Sequence, residues 1–143
     1  MKNCIYALTR GYTDFKSYDT LLARNKAIEN NLFNKLGGKY CIYDVDYILF
    51  HEGNITLEHQ KSIQDETSIP LKFVEIVFDN NNKEVYTNDN GHLVSRLFHN
   101  RTKERGWSTN NRPWGLNYRH MCHFYFVDIL EHLKNYKYAL RID

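Results

Sequence analysis

The feature that most constrains this chain is alternation. Short apolar runs that suit buried strands are separated by stretches with helical periodicity. Residues 4–8 (CIYAL) form one such run, ending in Thr9-Arg10-Gly11. Tyr18, Leu21, Leu22, Ile28, Leu32, Phe33 and Leu36 then recur at spacings of three and four, with Asp14 or Ser17 to cap the start and Gly37-Gly38 to stop the end. A second strand is expected at 47–50 (YILF), followed by a turn at His51-Glu52-Gly53-Asn54. A short helix at 57–63 has Thr56 as its cap and Pro70 beyond its end, and 71–78 makes a third strand rich in β-branched and aromatic residues.

The stretch 79–90 is polar and Asn-rich, so a loop is expected, with one short strand at 84–87. Leu93, Val94, Leu97 and Phe98 suggest a helix within 91–105, and 106–115 (GWSTNNRPWG) is a turn-rich link. Residues 118–133 are apolar on more than one face, which suits a helix buried against a sheet. A turn at 134–137 leads to a short strand at 138–142 (YALRI), expected to be buried, which delivers Asp143 to its carboxyl end.

Such an order implies an α/β fold with a mostly parallel sheet of about four strands, flanked by helices. Ligands of these sheets sit at the carboxyl ends of the strands. Three of those ends are polar here: Thr9-Arg10, His51-Glu52 and Asp143.

At 143 residues the chain has the length of one domain. A hydrophobic share of 42% excludes a disordered chain, and a net charge of +2 gives no reason to expect nucleic acid as partner. Cys4, Cys41 and Cys122 are odd in number and set among apolar residues, so reduced thiols and a cytoplasmic setting are expected. No segment has the length and apolarity of a membrane span.

Arg10, two residues past the first expected strand, suits a phosphate or a purine ring, with Thr9 adding a hydroxyl. The plain alternative is a surface ion pair. Thr-Arg-Gly-Tyr-Thr-Asp has one glycine where a phosphate-loop or dinucleotide fingerprint has several, so neither ATP hydrolysis nor NAD chemistry is supported. Tyr118 and Arg119 open the expected helix, where free backbone N–H groups favour anions. His120 and His123, three apart, share a helix face and suit zinc, although no further ligand has the right spacing. His51-Glu52 has the makings of an acid/base pair, with a turn as the simpler role. Lys103, Arg105 and Arg112 form a modest basic cluster.

Asn117-Tyr118-Arg119-His120-Met121-Cys122-His123-Phe124 resembles the Ser-Tyr-Arg-His-Met-Cys-Arg-Phe signature of the fungal Golgi α-1,2-mannosyltransferases, glycosyltransferase family 15. Residues 138–143 (YALRID) resemble the strand entering that family's Glu-Pro-Asp acidic motif. Ala7-Leu8-Thr9-Arg10 stands where the family has a strand ending in Val-Arg-Asn, and residues 47–50 where it has Val-Phe-Leu-Asn.

The resemblance implies an incomplete GT-A (Rossmann-like) unit that binds a nucleotide-sugar donor, GDP- or UDP-linked, and serves hexosyl or mannosyl transfer to a glycan acceptor. It further implies that Arg10 contacts the donor nucleotide and that Tyr118 lines the donor or acceptor pocket; Thr9 and Arg119, read from their positions, are the other candidates for donor binding. Asp143 would be the first acid of a manganese or magnesium motif. The sequence departs from the family at His123, which replaces an arginine, and at His51-Glu52, which replaces Asn-Asp. The family's second acid, acceptor half and catalytic carboxylate lie beyond the position of Asp143, so no catalytic residue is identified within the chain. The expectation is a single donor-binding domain: a truncated product, an expressed piece, or one part of an enzyme completed by a separate chain. The alternative is a non-catalytic remnant that binds sugar or protein.

Overall fold

The computed structural model describes residues 1–35, 44–76, 85–87, 93–95 and 121–143. The chain forms two compact units, one of residues 1–77 with 135–143 and one of residues 78–134.

The first unit is built on a four-stranded parallel sheet. Its strands are Asn3–Leu8 (β1), Val45–His51 (β2), Leu71–Glu75 (β3) and Ala139–Arg141, in spatial order third, second, first, last. β1 and β2 pair residue for residue from Asn3 with Val45 to Leu8 with Phe50. β2 continues the sheet through Tyr47 with Leu71 to His51 with Glu75.

Between β1 and β2 runs a 3-10 turn, Phe15–Tyr18, then helix α1, Asp19–Ile28, which loosens into a π-helical turn at Glu29–Phe33. Asp14 caps the 3-10 turn by accepting from the Lys16 N–H. Helix α2, Leu57–Asp65, joins β2 to β3, and the Thr56 hydroxyl caps it by accepting from the His59 N–H, as the sequence led us to expect. The Gln64 amide then stitches the way into β3: it donates to the Thr67 and Ile69 carbonyls and accepts from the Leu71 N–H.

Ile5, Ala7, Tyr47 and Leu49 alternate onto one face of the sheet, where Tyr18, Leu21, Phe33 and Ile63 close over them. Cys4, Tyr6, Ile48 and Phe50, on the opposite face, are buried too. That double burial explains why the two central strands read as continuous apolar runs rather than alternating ones.

Two polar devices hold the layers in register. The Tyr47 hydroxyl donates to Asn25 Oδ1 at 2.8 Å, the Asn25 amide donates to Thr67 Oγ1 at 3.2 Å, and that hydroxyl donates to the Ile63 carbonyl at 2.8 Å. This fully buried relay joins α1, β2 and the end of α2. At the amino edge of the sheet, Asp46 is gripped by Lys2 at 3.3 Å, by Lys72 and by the Tyr136 hydroxyl at 2.7 Å. Burial alone would raise the Asp46 pKa, but the hydrogen bonds from Lys72, Tyr136 and Lys2 outweigh it and hold the carboxyl below its ordinary value. Beside it, burial pushes the Cys4 thiol up to about 11, so this cysteine is an inert core residue.

The second unit contains the antiparallel pair Val85–Thr87 (β4) and Leu93–Ser95 (β5), in the register Val85 with Ser95, Tyr86 with Val94 and Thr87 with Leu93. This corrects the expected helix within 91–105 at its start. Five residues containing Asn90-Gly91 separate two short apolar runs, a hairpin signal that outweighs the helical spacing of Leu93, Val94, Leu97 and Phe98.

The expected helix at 118–133 is described from Met121 onward. It passes through a π-helical turn, Phe124–Asp128, into helix α3, Ile129–Leu133. Phe124 and Ile129 are buried, whereas Phe126, Val127 and Leu130 are exposed, so this helix buries one side rather than several.

The last strand, Ala139–Arg141 (β6), returns to the first unit and pairs parallel to β1 through Cys4 with Ala139, Ile5 with Leu140 and Tyr6 with Arg141. It is shorter than expected and exposed at all three positions. Among the described residues, it is an edge strand that pairs with β1 alone.

Candidate functional site

Parallel strands send all their carboxyl ends to one rim. The strand order adds a second condition: from β1 the chain builds outward to β2 and β3, then comes back to lay β6 on the other flank of β1. The gap between β1 and β6 is therefore a topological switch point, where open α/β sheets bind ligands.

Thr9 and Arg10 leave β1 on this rim. The Thr9 N–H donates to the Phe50 carbonyl at 2.7 Å, which holds the exit of β1 against β2. Its hydroxyl oxygen is buried and has no hydrogen-bond partner among the described residues, an unusual state for a polar atom. Arg10 is exposed, and its guanidinium lies 5.6 Å from the centre of the Tyr12 ring.

Tyr12 itself is held in place. Its N–H donates to the hydroxyl of the fully buried Tyr18 at 2.9 Å, and the two rings meet edge to face at 5.3 Å. The rings of Phe15 and His59 pack on Tyr18 in turn. The loop after β1 thus presents a cation and an aromatic face on a rigid base. Tyr12 was missed in the sequence reading. An aromatic two residues past Arg10 was a usable signal, because an aromatic in a strand-end loop has no core to enter.

β2 brings His51, Glu52 and Gly53 to the same rim. His51 is the last residue of β2 and is 3% exposed rather than part of an open turn. Burial holds its pKa below the ordinary imidazole value, while the negative charge of Glu75 works the other way. Its Nδ1 accepts from the Gly53 N–H at 3.1 Å, which places the proton of the neutral ring on Nε2. These contacts describe a buried structural imidazole, and His51-Glu52 does not form a paired acid and base.

Asp143 follows β6 by two residues. The Ile142 N–H donates to the Tyr6 carbonyl at 2.9 Å, so the pairing with β1 persists beyond the strand and carries Asp143 level with Leu8. Adjacent strands lie about 4.8 Å apart. The Asp143 carboxylate is exposed and receives the Arg141 side chain, Nε at 3.0 Å and Nη2 at 2.9 Å.

The described rim offers a divalent cation one carboxylate at this position, and no group of three or more His, Cys, Asp or Glu side chains capable of holding a metal occurs among the described residues. One carboxylate is too few for an all-protein metal cage. It suffices for a cation that arrives with phosphate oxygens and keeps part of its water shell.

Of the residues singled out from sequence, Thr9, Arg10 and Asp143 emerge on neighbouring strands at one rim. Tyr118, Arg119, His120, Lys103, Arg105 and Arg112 lie outside the described residues. His123 is exposed, with Nδ1 at 3.0 Å from an Asp128 carboxylate oxygen, and Cys122 is a partly exposed free thiol. No described helix is long and apolar enough to cross a membrane.

No family model matches the sequence, and no curated protein matches it. Among solved structures, the chain is similar to core-mannan synthase A from Aspergillus fumigatus in its manganese and GDP form, at 18% identity and a TM-score of 0.55. The match covers 97% of this chain and 33% of that one, so the chain spans about a third of the length of its neighbour. The likeness, together with the parallel sheet and its flanking helices, shows an α/β fold of the glycosyltransferase GT-A type, present in part.

Proposed function

We propose that this chain is the donor-binding part of a nucleotide-sugar-dependent glycosyltransferase. The observation that carries the reading is the reversal of strand order at β1, which sets the exits of β1 and β6 side by side. Arg10, the Thr9 hydroxyl, which has no hydrogen-bond partner among the described residues, and Asp143 are the groups that follow those exits. The manganese and GDP held by the structural neighbour support the same reading, as does the sequence motif around Tyr118.

In this proposal Arg10 faces the donor diphosphate, where a guanidinium makes charge-assisted hydrogen bonds to phosphate oxygens. The Tyr12 ring offers a face to the base, and Thr9 supplies a hydroxyl where burial makes an unfilled hydrogen bond costly. Asp143 gives a divalent cation its one protein carboxylate, and that cation would neutralise the diphosphate as leaving group. Tyr118 and Arg119 are proposed as further donor-binding residues on the sequence motif alone. Guanine and mannose are the preferred base and sugar, and a glycan is the acceptor. The transfer step is assigned to no residue of the rim, and a separate chain or further sequence would provide the acceptor half.

The test is calorimetric titration of the folded protein with GDP and with UDP, each with and without manganese. Binding of GDP that strengthens with manganese and weakens in Arg10→Ala is the expected outcome. A folded sample that binds neither nucleotide would sink the proposal and favour the alternative, a sugar- or protein-binding module without a donor site.

A further inference from the structure

We propose that His51 is a positioning residue for the nucleotide rim, acting through the turn after β2 on the loop that bears Arg10. This inference rests on the donor-binding reading. Its geometry runs through three contacts. His51 Nδ1 accepts the Gly53 N–H at 3.1 Å. Gly53 stands at φ +80, a conformation that side chains disfavour, and a Cβ there would lie 2.7 Å from Glu75 Oε1. The chain so turned lays Asn54 against Gly11, where an added Cβ would lie 2.1 Å from the Asn54 carbonyl oxygen. Gly11 directly follows Arg10. The β2–α2 turn and the Arg10 loop are thus in backbone contact, and the imidazole sets the turn.

The brace works only with a neutral ring. A proton on Nδ1 would turn its lone pair into a second donor facing the Gly53 N–H. The surroundings enforce neutrality: His51 is buried, the Phe73 ring of β3 lies edge-on at 6.4 Å, and α2 presents the uncharged Gln60, 3.5 Å away. Glu75 of β3 is the charged group that opposes this by favouring the imidazolium, and burial prevails over it. A proton forced onto the ring at low pH would release the turn and with it the seat of Arg10.

Two variants separate the brace from bulk packing. His51→Asn keeps an acceptor that reaches the N–H two residues on, as in an Asx turn, and cannot titrate. His51→Leu keeps volume and loses the acceptor. In the free protein, the Gly53 and Gly11 amide resonances should shift together with the His51 ring as pH falls below the ordinary imidazole value, and should stay still in His51→Asn. For GDP with manganese, the wild type should lose affinity over that range. His51→Asn should keep it within about twofold, and His51→Leu should be about tenfold weaker at neutral pH. A Gly11 amide that ignores both His51→Leu and the titration overturns the brace. GDP affinity unchanged in His51→Leu overturns its role in binding. Absence of GDP binding by the wild type, with Gly11 still following His51, overturns the donor reading and leaves the mechanical coupling standing.

Discussion

Replacing Asp46 with asparagine is the sharpest test of what holds the last strand in the sheet. Tyr136 lies three residues before β6, and its hydroxyl reaches across 90 residues of sequence to an Asp46 carboxylate oxygen, while Lys2, just before β1, and Lys72, in β3, bind the same group. Both lysines are about half exposed, at 53% and 54%, so each pair contributes no more than about 1 kcal/mol. The Tyr136 bond to an ionised and nearly buried acceptor adds about 1.5 kcal/mol, of which a neutral amide oxygen recovers part. Asparagine also turns an N–H₂ toward one of the lysines.

The sum is a loss of about 2.5 kcal/mol, and with unfolding entropy of about 0.3 kcal/mol/K for a chain of this length the melting temperature should fall by about 8 °C. Urea unfolding followed by circular dichroism measures it, and Tyr136→Phe, alone and combined with Asp46→Asn, isolates the pair. The two substitutions should cost less together than the sum of each alone, by about 1 kcal/mol. Because the folded state holds the Asp46 pKa below its ordinary value, the stabilisation is complete above that value and is lost as pH falls through the lower, folded one. Asp46→Asn should therefore also flatten the acid limb of the stability profile. A variant within about 0.5 kcal/mol of wild type, or strict additivity with Tyr136→Phe, would refute the reasoning.

Asn25→Ala should cost about 3 kcal/mol in the same assay, because it strands the buried Tyr47 hydroxyl and removes the donor to Thr67, whereas exposed Asn31→Ala should cost far less. Gly11→Ala should cost more than about 2 kcal/mol, or else displace the β2–α2 turn in a crystal structure of the variant, since its methyl group would collide with the Asn54 backbone. Asp143→Asn should leave metal-free GDP affinity unchanged within about twofold and abolish the gain from manganese, measured by calorimetry. Arg10→Ala should weaken GDP binding by about tenfold to a hundredfold with or without the metal.

The central strands were legible because both of their faces are buried, so 4–8 and 47–50 carried unbroken apolar runs. The cap at Thr56 was legible because it is local, a hydroxyl three residues from its partner. What escaped depends on contacts distant in sequence. Asp46 reads as an ordinary polar residue until Lys2, Lys72 and Tyr136 converge on it. His51 reads as turn until the pairing with Glu75 extends β2 over it. The exposure of Leu140 was invisible for the opposite reason: its apolar strand pattern is real, but it lies on a strand that is an edge among the described residues and remains 56% exposed. At the rim, the positions of Thr9, Arg10 and Asp143 followed from strand ends, whereas Tyr12 gained its place from the buried Tyr18 hydroxyl beneath it.

The most direct test of the account is to titrate isotope-labelled protein with GDP and magnesium, follow the backbone amides by NMR, and then exchange in a trace of paramagnetic manganese. The account predicts that the nucleotide shifts the amides of Thr9, Arg10, Gly11 and Tyr12, and that manganese broadens those of Ile142 and Asp143 first. Shifts confined to other surfaces, or broadening that spares the end of β6, would contradict it.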